Sequence, residues 1–363
     1  MLKLPDKLKE KNKPALFFEL LRDPDRKPIF RMIYEFCYLI GIYREIPVHY
    51  FSRYLFKKDM LNIRDYLPNR FISNRISPFF NDRIVTEVLD DKLFFDLFYR
   101  QFDLNLPKIL MYNCRQMFVI GTTHIEVKNV HEFRTLLVDL FKENPSIVSI
   151  FIKKTVCGSC GSNIHRLFLN ELQTDQLKVG EIYSEVINSE FIFQEALKQN
   201  HVLNVLNPSC LNTIRFDTFI DKSGQIDIIS AYLRISINDN YIDNISAGGC
   251  QVGIDLQNGK LKKVGYSIFK YSGTRVYTEH PKTKIIFENF EIPYFAEAKD
   301  LVLHAASFMT GLRLVGWDVA ICESGPVLIE GNSDYDICGN DLADGGYLTN
   351  PVFRKVLNEI NYL

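Results

Sequence analysis

Apolar side chains along the chain change their period several times, and each change marks an expected element. In the first 80 residues aromatic and aliphatic side chains recur every three or four positions over Phe30–Tyr43 and Val48–Phe56, which predicts helices, punctuated at Pro68-Asn69 and Ser77-Pro78. Arg83–Gln101 reads as one amphipathic helix carrying Ile84, Val88, Leu93, Phe94, Leu97 and Phe98. Leu106-Pro107-Lys108 then leads into short strands near Ile109–Met111 and Met117–Ile120, and a helix is expected over Val130–Lys142. Ser146–Lys153, SIVSIFIK, is a strand running into the small-residue loop Thr155–Asn163. A weakly patterned stretch follows, and then a strand at Phe191–Leu197. Thr213–Ile220, TIRFDTFI, alternates with period two and turns through Asp221–Gly224 into Ile226–Ile237. Gly248-Gly249, Gly253 and Asn258-Gly259 mark tight turns, Pro293–Thr310 is a helix, and a last helix runs from Pro351 to Ile360. Helices mixed with antiparallel-type hairpins predict an α+β fold. No internal repeat, low-complexity tract or flexible linker interrupts it.

Composition narrows this little, but charge distribution adds something. An apolar content of 47% with 24% charged residues suits a globular enzyme, and 363 residues suggest two or three domains. The net charge of −1 is uneven: residues 1–75 hold 16 Lys/Arg against 9 Asp/Glu, a surplus of seven. That basic, aromatic-rich region suits a membrane surface or an anionic, lipid-linked substrate; a solvated face on a helical subdomain is the alternative. The opening MLKLPDKLKEKNK is too charged for a secretory leader, and Ile29–Tyr43, broken by Arg31, Glu35 and Gly41, falls short of the ~18–20 residues of a spanning helix. It reads as a packed or interfacial helix. Eight scattered cysteines fit reduced thiols, and the expected location is cytoplasmic, with membrane-peripheral association as the variant.

The chemistry concentrates in Gly316–Asn332, GWDVAICESGPVLIEGN. Two apolar strands joined at Glu323-Ser324-Gly325 present Asp318 on one arm and, two residues apart on one face of the other, Glu330 and Asn332. Oxygen side chains of this kind suit a hard cation such as Mg²⁺ carrying a nucleotide triphosphate, and the paired carboxylates favour a cation between them. Solvated acids on a surface hairpin are the other reading. Upstream, Lys153 ends a strand before a loop with Gly158, Ser159 and Gly161, where small residues let backbone N–H groups approach phosphate oxygens. The Walker A spacing is absent. Period two after Phe151 selects Lys153 over Lys154. Arg215 and Arg234 lie on neighbouring strands, and an inward arginine calls for an anion, either phosphate or carboxylate from a ligand or an ion pair with Asp217 or Asp227. Cys157 and Cys160 form a lone CxxC with no second pair to complete a zinc site.

The segments PSCLNTIR, AYLRI, DNISAGG, GWDVA and VLIEGNSDYDICG together resemble the ATP-grasp superfamily, and within it the sugar-transfer-associated family of bacterial polysaccharide gene clusters, over roughly residues 85–363. The resemblance implies an ATP-grasp fold, two α+β subdomains gripping ATP, with a helical N-terminal extension. The expected division is residues 1–82 helical, 83–190 the N-terminal and lid subdomain, and 191–363 the C-terminal subdomain with the metal site. It implies ATP and Mg²⁺ as cofactors, with Asp318, Glu330 and Asn332 on the metal. Lys92 and Lys153 would bind phosphates, with Gly158, Ser159 and Gly161 as a phosphate lid. Gln194 stands near the adenine amine, where many ligases carry Glu, and the backbones of Glu195 and Leu197 read the base. Arg215, Arg234 and Asn244 serve catalysis. The reaction implied is carboxylate–amine ligation through an acylphosphate, on a sugar acid, amino acid or lipid-linked sugar, with no role for nucleic acid. A phosphotransferase on the same fold and a non-catalytic nucleotide-binding partner of a glycosyltransferase are the alternatives.

Overall fold

The computed structural model describes residues 10–156, 164–237 and 249–362. They divide into two compact units: Glu87–Lys198 with Val327–Glu330, and Met1–Thr86, Gln199–Pro326 and Gly331–Leu363.

The unit of residues 87–198 is built on a six-stranded antiparallel sheet. Its strands are β1 (Ile109–Cys114), β2 (Met117–Ile120), β3 (Thr123–Glu126), β4 (Ser149–Lys154), β5 (Ile164–Phe168) and β6 (Glu190–Glu195), in the order β3-β2-β1-β6-β4-β5. The helix Val130–Glu143 starts at Asn129, whose side chain accepts from the Glu132 N–H, and it buries Phe133, Leu137, Leu140 and Phe141, one stripe at helical spacing. That stripe meets Phe118, Ile150, Ile152 and Phe193 from the sheet and Val179 and Ile182 from the helix Gln176–Val186. The weakly patterned stretch therefore contains β5 and this second helix; their short apolar sets become regular only against the sheet.

Two expected boundaries move here. β6 pairs with β1 and β4, so it closes this sheet rather than opening the next unit, and the division expected at 190/191 falls after it. The helix expected over Arg83–Gln101 is interrupted. A helix spans Glu87–Asp90, Asp91 is extended and bridges to Val156, and a new helix begins at Lys92 and ends at Tyr99. Asp91 has left the helical path to become a cap: its carboxylate accepts from the N–H groups of Leu93 and Phe94 at 2.8 and 3.0 Å.

The other unit carries a seven-stranded sheet. Its strands are β7 (Thr213–Ile220), β8 (Ile226–Ser236), β9 (Gly249–Ile254), β10 (Leu261–Tyr266), β11 (Val276–Tyr277), β12 (Leu314–Cys322) and β13 (Gly325–Asn332), in the order β11-β10-β9-β8-β7-β12-β13. The helix Phe295–Ser307 lies on one face, with Phe295 stacked on Phe216 at 5.6 Å. The opposite face is covered by the helices Cys338–Asp344 and Pro351–Glu359 and by N-terminal residues, Leu67, Phe71, Ile72, Ile76 and Phe80, in one cluster with Phe219, Leu314 and Phe353. These N-terminal residues thus pack into the C-terminal unit rather than standing apart from it.

The clean alternation of β7 predicts one solvated face, yet all eight of its residues are buried. Its polar residues, Arg215 and Asp217, face a covered interior, where charged groups match one another instead of water. Gly253, expected in a turn, lies inside β9, where a Cβ would come within 3.0 Å of Ala343 on the covering helix. Here a glycine marks close approach of a helix, not a reversal of the chain.

Candidate functional site

Four of the side chains singled out in the sequence line one cleft in the unit of residues 87–198. Lys92, Lys153, Gln194 and Glu330 share it with Phe95, Leu106, Pro107, Ile192 and Ile329. Local structure explains each position. Lys92 is the first residue after the Asp91 cap, and its backbone N–H donates to the Thr155 carbonyl at 3.0 Å, tying the helix start to the end of β4. Lys153 lies on β4 opposite Ile192 of β6, and its ammonium sits 5.6 Å from the Phe151 ring, on the same side of the strand as period two requires. Gln194 faces Phe151 across that ladder, and its Oε1 accepts from Lys153 Nζ at 2.8 Å. Glu330 reaches the cleft because Leu328 N–H donates to the Asn105 carbonyl at 2.8 Å, holding Val327–Glu330 against this unit. Its carboxylate stands 3.7 Å from Lys92 Nζ, a loose pair with the Glu330 side chain 30% exposed.

A second polar group lies on the covered face of the seven-stranded sheet. In register, Asp318 of β12 stands opposite Arg215 of β7. Arg215 grips it through two bonds, Nε to Oδ1 at 2.5 Å and Nη2 to Oδ2 at 3.1 Å, while Arg234 Nη1 reaches Oδ2 at 2.7 Å. Asp318 is 2% exposed, so the three groups compensate one another with little help from water. Burial works against the charge of Arg215, but Asp318 together with Tyr232 and Asp217 holds its pKa well above the usual arginine value. Asp217, two residues along, is fully buried and accepts from the Tyr347 hydroxyl. Burial pushes its carboxyl up to about 7, against the pull of Arg215 and Tyr347. Gly316 of β12 leaves room for this packing: a Cβ there would lie 3.0 Å from the Tyr335 ring and 3.2 Å from Arg215 Nη1.

The ion pairs differ from those expected. Arg215 and Arg234 both bond Asp318, whereas Asp227 pairs with Lys355 at 2.7 Å and Asp217 takes a tyrosine. Gln194 accepts from Lys153 through its side-chain oxygen. The N–H of Glu195 donates to the Lys108 carbonyl at 3.0 Å and its carboxylate accepts from Lys108 N–H at 2.8 Å, so its amide is already committed; Leu197 lies just past the end of β6. Gly158, Ser159, Gly161 and Asn244 lie outside the described residues, as do Cys157 and Cys160. Asp91 was expected inside the helix beside Lys92 and not as a cap, and Tyr335 and Tyr347 were given no role. Asp91 carried a usable signal, an Asp directly before an apolar helical run.

The oxygens of the acidic hairpin fit a hard cation unevenly. Asn332 donates its Nδ2 to the Gly316 carbonyl at 3.4 Å, which leaves its Oδ1 as the acceptor end, and Glu330 is held only loosely by Lys92. Each therefore keeps a hard oxygen of the kind Mg²⁺ takes, and Mg²⁺ commonly takes only one or two protein carboxylates, with water and phosphate supplying the rest. Asp318 is committed differently: both of its oxygens already accept from guanidinium groups. Among the described residues no three His, Cys, Asp or Glu side chains form a cluster able to hold a metal by themselves.

A family model described as sugar-transfer associated ATP-grasp matches residues 72–357. No curated protein matches by sequence. Among solved structures, the chain is similar to N5-carboxyaminoimidazole synthase from Aspergillus clavatus in complex with ADP and 5-aminoimidazole ribonucleotide (8% identity, 79% of this chain and 59% of that one, TM-score 0.41). It is also similar to biotin carboxylase from Campylobacter jejuni (9%, 77% and 48%, 0.42) and to D-alanine–D-alanine ligase from Bacillus anthracis (13%, 76% and 69%, 0.39). The chain thus spans about half the length of the first two.

Proposed function

Because the chain belongs to the sugar-transfer-associated ATP-grasp family, we propose that it is an ATP- and Mg²⁺-dependent carboxylate–amine ligase working through an acylphosphate. The observation that carries this is the meeting of Lys92, Lys153, Gln194 and Glu330 in one cleft. Two ammonium groups beside a carboxylate, under apolar walls from Phe95, Ile192 and Ile329, suit a nucleotide whose base needs a dry surface and whose phosphates need point charges.

Each residue has a role in positioning and charge neutralisation, which is most of what phosphoryl transfer asks of a protein. Lys92 and Lys153 bind phosphate oxygens, Lys153 being aimed by Gln194. The lid formed by Gly158, Ser159 and Gly161 closes on the phosphates, and Leu197 with the Glu195 carbonyl reads the base. Glu330 and Asn332 would hold Mg²⁺, with Asp318 as the third ligand. Bound there, Mg²⁺ supplies Lewis-acid neutralisation of the phosphate oxygens. Arg215 and Arg234, set side by side by Asp318, neutralise the carboxylate substrate or the oxyanion formed when the amine attacks, and Asn244 adds a polar contact. A substrate carboxylate takes the γ-phosphoryl group and ADP leaves; the amine then displaces phosphate from the acyl carbon, forming the amide. As substrate we propose a sugar acid, amino acid or lipid-linked sugar of surface-polysaccharide synthesis, a reading supported only by the family's association with sugar transfer.

The test is ADP release and phosphate release from Mg-ATP with panels of uronic acids and amino acids. Phosphate release that requires both an acid and an amine, lost in Lys153→Met and Glu330→Gln, is expected. A stable phosphorylated product with no amine requirement would make the protein a kinase. Nucleotide binding without turnover across the panels would favour the non-catalytic partner.

A further inference from the structure

The helix Ile29–Tyr43 is apolar on two opposite sides. Its inner side is explained: Met32 and Leu39 are buried in a cluster with Leu20, Tyr50, Tyr54 and Phe56. The outer side is not. Phe30, Ile33, Tyr34, Cys37, Ile40 and Gly41 are all exposed and follow one another at spacings of three and four, a continuous stripe along one helix face. Phe30 is 84% exposed, Tyr34 68% and Ile33 56%. No charge interrupts the stripe. The helix has only two, Arg31 and Glu35, bonded to each other at 2.9 Å, and Glu35 is further neutralised from the inner side by Lys27 and Tyr50. Ile46 and Val48, just past the helix end, are also exposed. A helix apolar all round needs cover on both sides.

The charges around the stripe say what covers it. Buried or half-buried lysines in this region are matched, Lys27 by Glu35 and Lys57 by Asp23. Exposed arginines flank the stripe. Arg44 is exposed at the helix end, and Arg64 is exposed with its guanidinium 4.6 Å over the ring of Tyr38, on the same helix. An apolar, aromatic stripe rimmed by arginine matches the layered chemistry of a bilayer surface, with acyl chains below and anionic headgroups around. At 15 residues the helix is about 22 Å long, short of the ~30 Å hydrocarbon core, and no described helix is long and apolar enough to cross a membrane. It can lie in the interface but not traverse it.

We propose that the outer face of Ile29–Tyr43 is a membrane-interfacial surface that seats the protein on an anionic bilayer. This stands apart from nucleotide chemistry, so either reading can fail without the other. The test is flotation of the full chain with phosphatidylcholine vesicles, with and without phosphatidylglycerol. Flotation is expected only with phosphatidylglycerol. It should fall at least tenfold in Phe30→Glu/Ile33→Glu and weaken in Arg44→Glu/Arg64→Glu and in high salt. A second readout needs no loss of apolar surface: Tyr34→Trp adds an exposed indole to a chain whose one native tryptophan, Trp317, is buried, and brominated phosphatidylglycerol should quench it. Absence of flotation, flotation insensitive to Phe30→Glu/Ile33→Glu, or an added indole that stays unquenched in the Tyr34→Trp variant would overturn the proposal. So would a dimer in light scattering that the same double variant splits, which would give the face to a second copy of the chain.

Discussion

Asp318 and Glu330 share a hairpin in sequence and differ in surroundings, so the same carboxylate-to-amide change should act differently on each. Asp318 compensates two guanidinium groups while 2% exposed, and Asp318→Asn leaves a buried positive pair unmatched. A loss of about 3 kcal/mol in urea unfolding is expected, in line with breaking other buried pairs. Glu330 is a third exposed and its partner is 3.7 Å away, so Glu330→Gln should cost under ~1 kcal/mol while Mg-ATP turnover disappears. It is the cleaner probe of the metal assignment; turnover surviving at more than a tenth of the parent rate would remove Glu330 from it. Asp217 gives a prediction of another kind. Burial raises its folded carboxyl to about 7, above the ordinary carboxylate range, so folding favours its protonated form. The stability tied to that proton is complete below about pH 4 and is lost as pH rises through 7. Asp344, raised to about 6 by burial, adds a slope of the same sign. Asp217→Asn keeps an acceptor for the Tyr347 hydroxyl and removes the titration. Its Tm should exceed the parent's at pH 8 and fall less between pH 4 and 7; an unchanged slope would show that Asp217 is ionised throughout.

At the level of elements, the start of the helix Lys92–Tyr99 links local sequence to the cleft. Asp91→Ala removes the acceptor for two N–H groups, at a cost of about 1 kcal/mol in thermal or urea unfolding. Because Lys92 is the next residue, its aim loosens too, so the apparent Kd for Mg-ATP should rise several-fold while Asp91→Asn, still a cap, stays near the parent. Equal nucleotide binding in Asp91→Ala and the parent would separate the cap from the cleft. This boundary also shows what period and composition can convey. The helix Val130–Glu143 and strand β7 were legible because their apolar positions keep one period from end to end. The break at Asp91 was not, because the flanking apolar residues continue at helical spacing and only the bridge to Val156 pulls the residue out. Similarly, Arg215 and Arg234 were legible as inward arginines needing an anion, but the choice of Asp318 over Asp217 or Asp227 depends on β12 lying beside β7, a pairing roughly a hundred residues apart in the chain. The positions of Lys153 and Glu330 in one cleft depend likewise on β6 closing the six-stranded sheet and on the Leu328–Asn105 bond.

For the molecule as a whole, the question is whether the first 82 residues are an appendage or part of the core. Arg53 is fully buried and bonds Asp341 at 2.9 Å, and the same carboxylate accepts from the backbone of Leu67 and Tyr347 at 3.2 and 2.7 Å. Asn81 donates to the carbonyls of Leu314 and Ser333, both at 2.7 Å, and accepts from Leu314 N–H at 3.0 Å, stitching the chain to β12 beside the Asp318 strand segment. Tyr54 donates to the Ser267 carbonyl at 2.8 Å. A chain beginning at residue 83 would lose Leu67, Phe71, Ile72, Ile76 and Phe80 from their shared cluster, uncover Phe219, Leu314 and Phe353, and strand the Asp341 carboxylate in an apolar site. Exposed apolar surface of that size drives aggregation, so the shortened chain should be insoluble or show no cooperative melt. Arg53→Met tests the same point without truncation: it should cost about 3–5 kcal/mol, because an uncompensated charge stays buried. Adding Asp341→Asn neutralises that charge while keeping an acceptor for Tyr347 N–H, and roughly half of the lost stability should return. If residues 83–363 instead fold alone with the parent Tm, or if Asp341→Asn restores nothing, the N-terminal region is a separate attachment and its membrane-facing helix would be expected to float vesicles on its own.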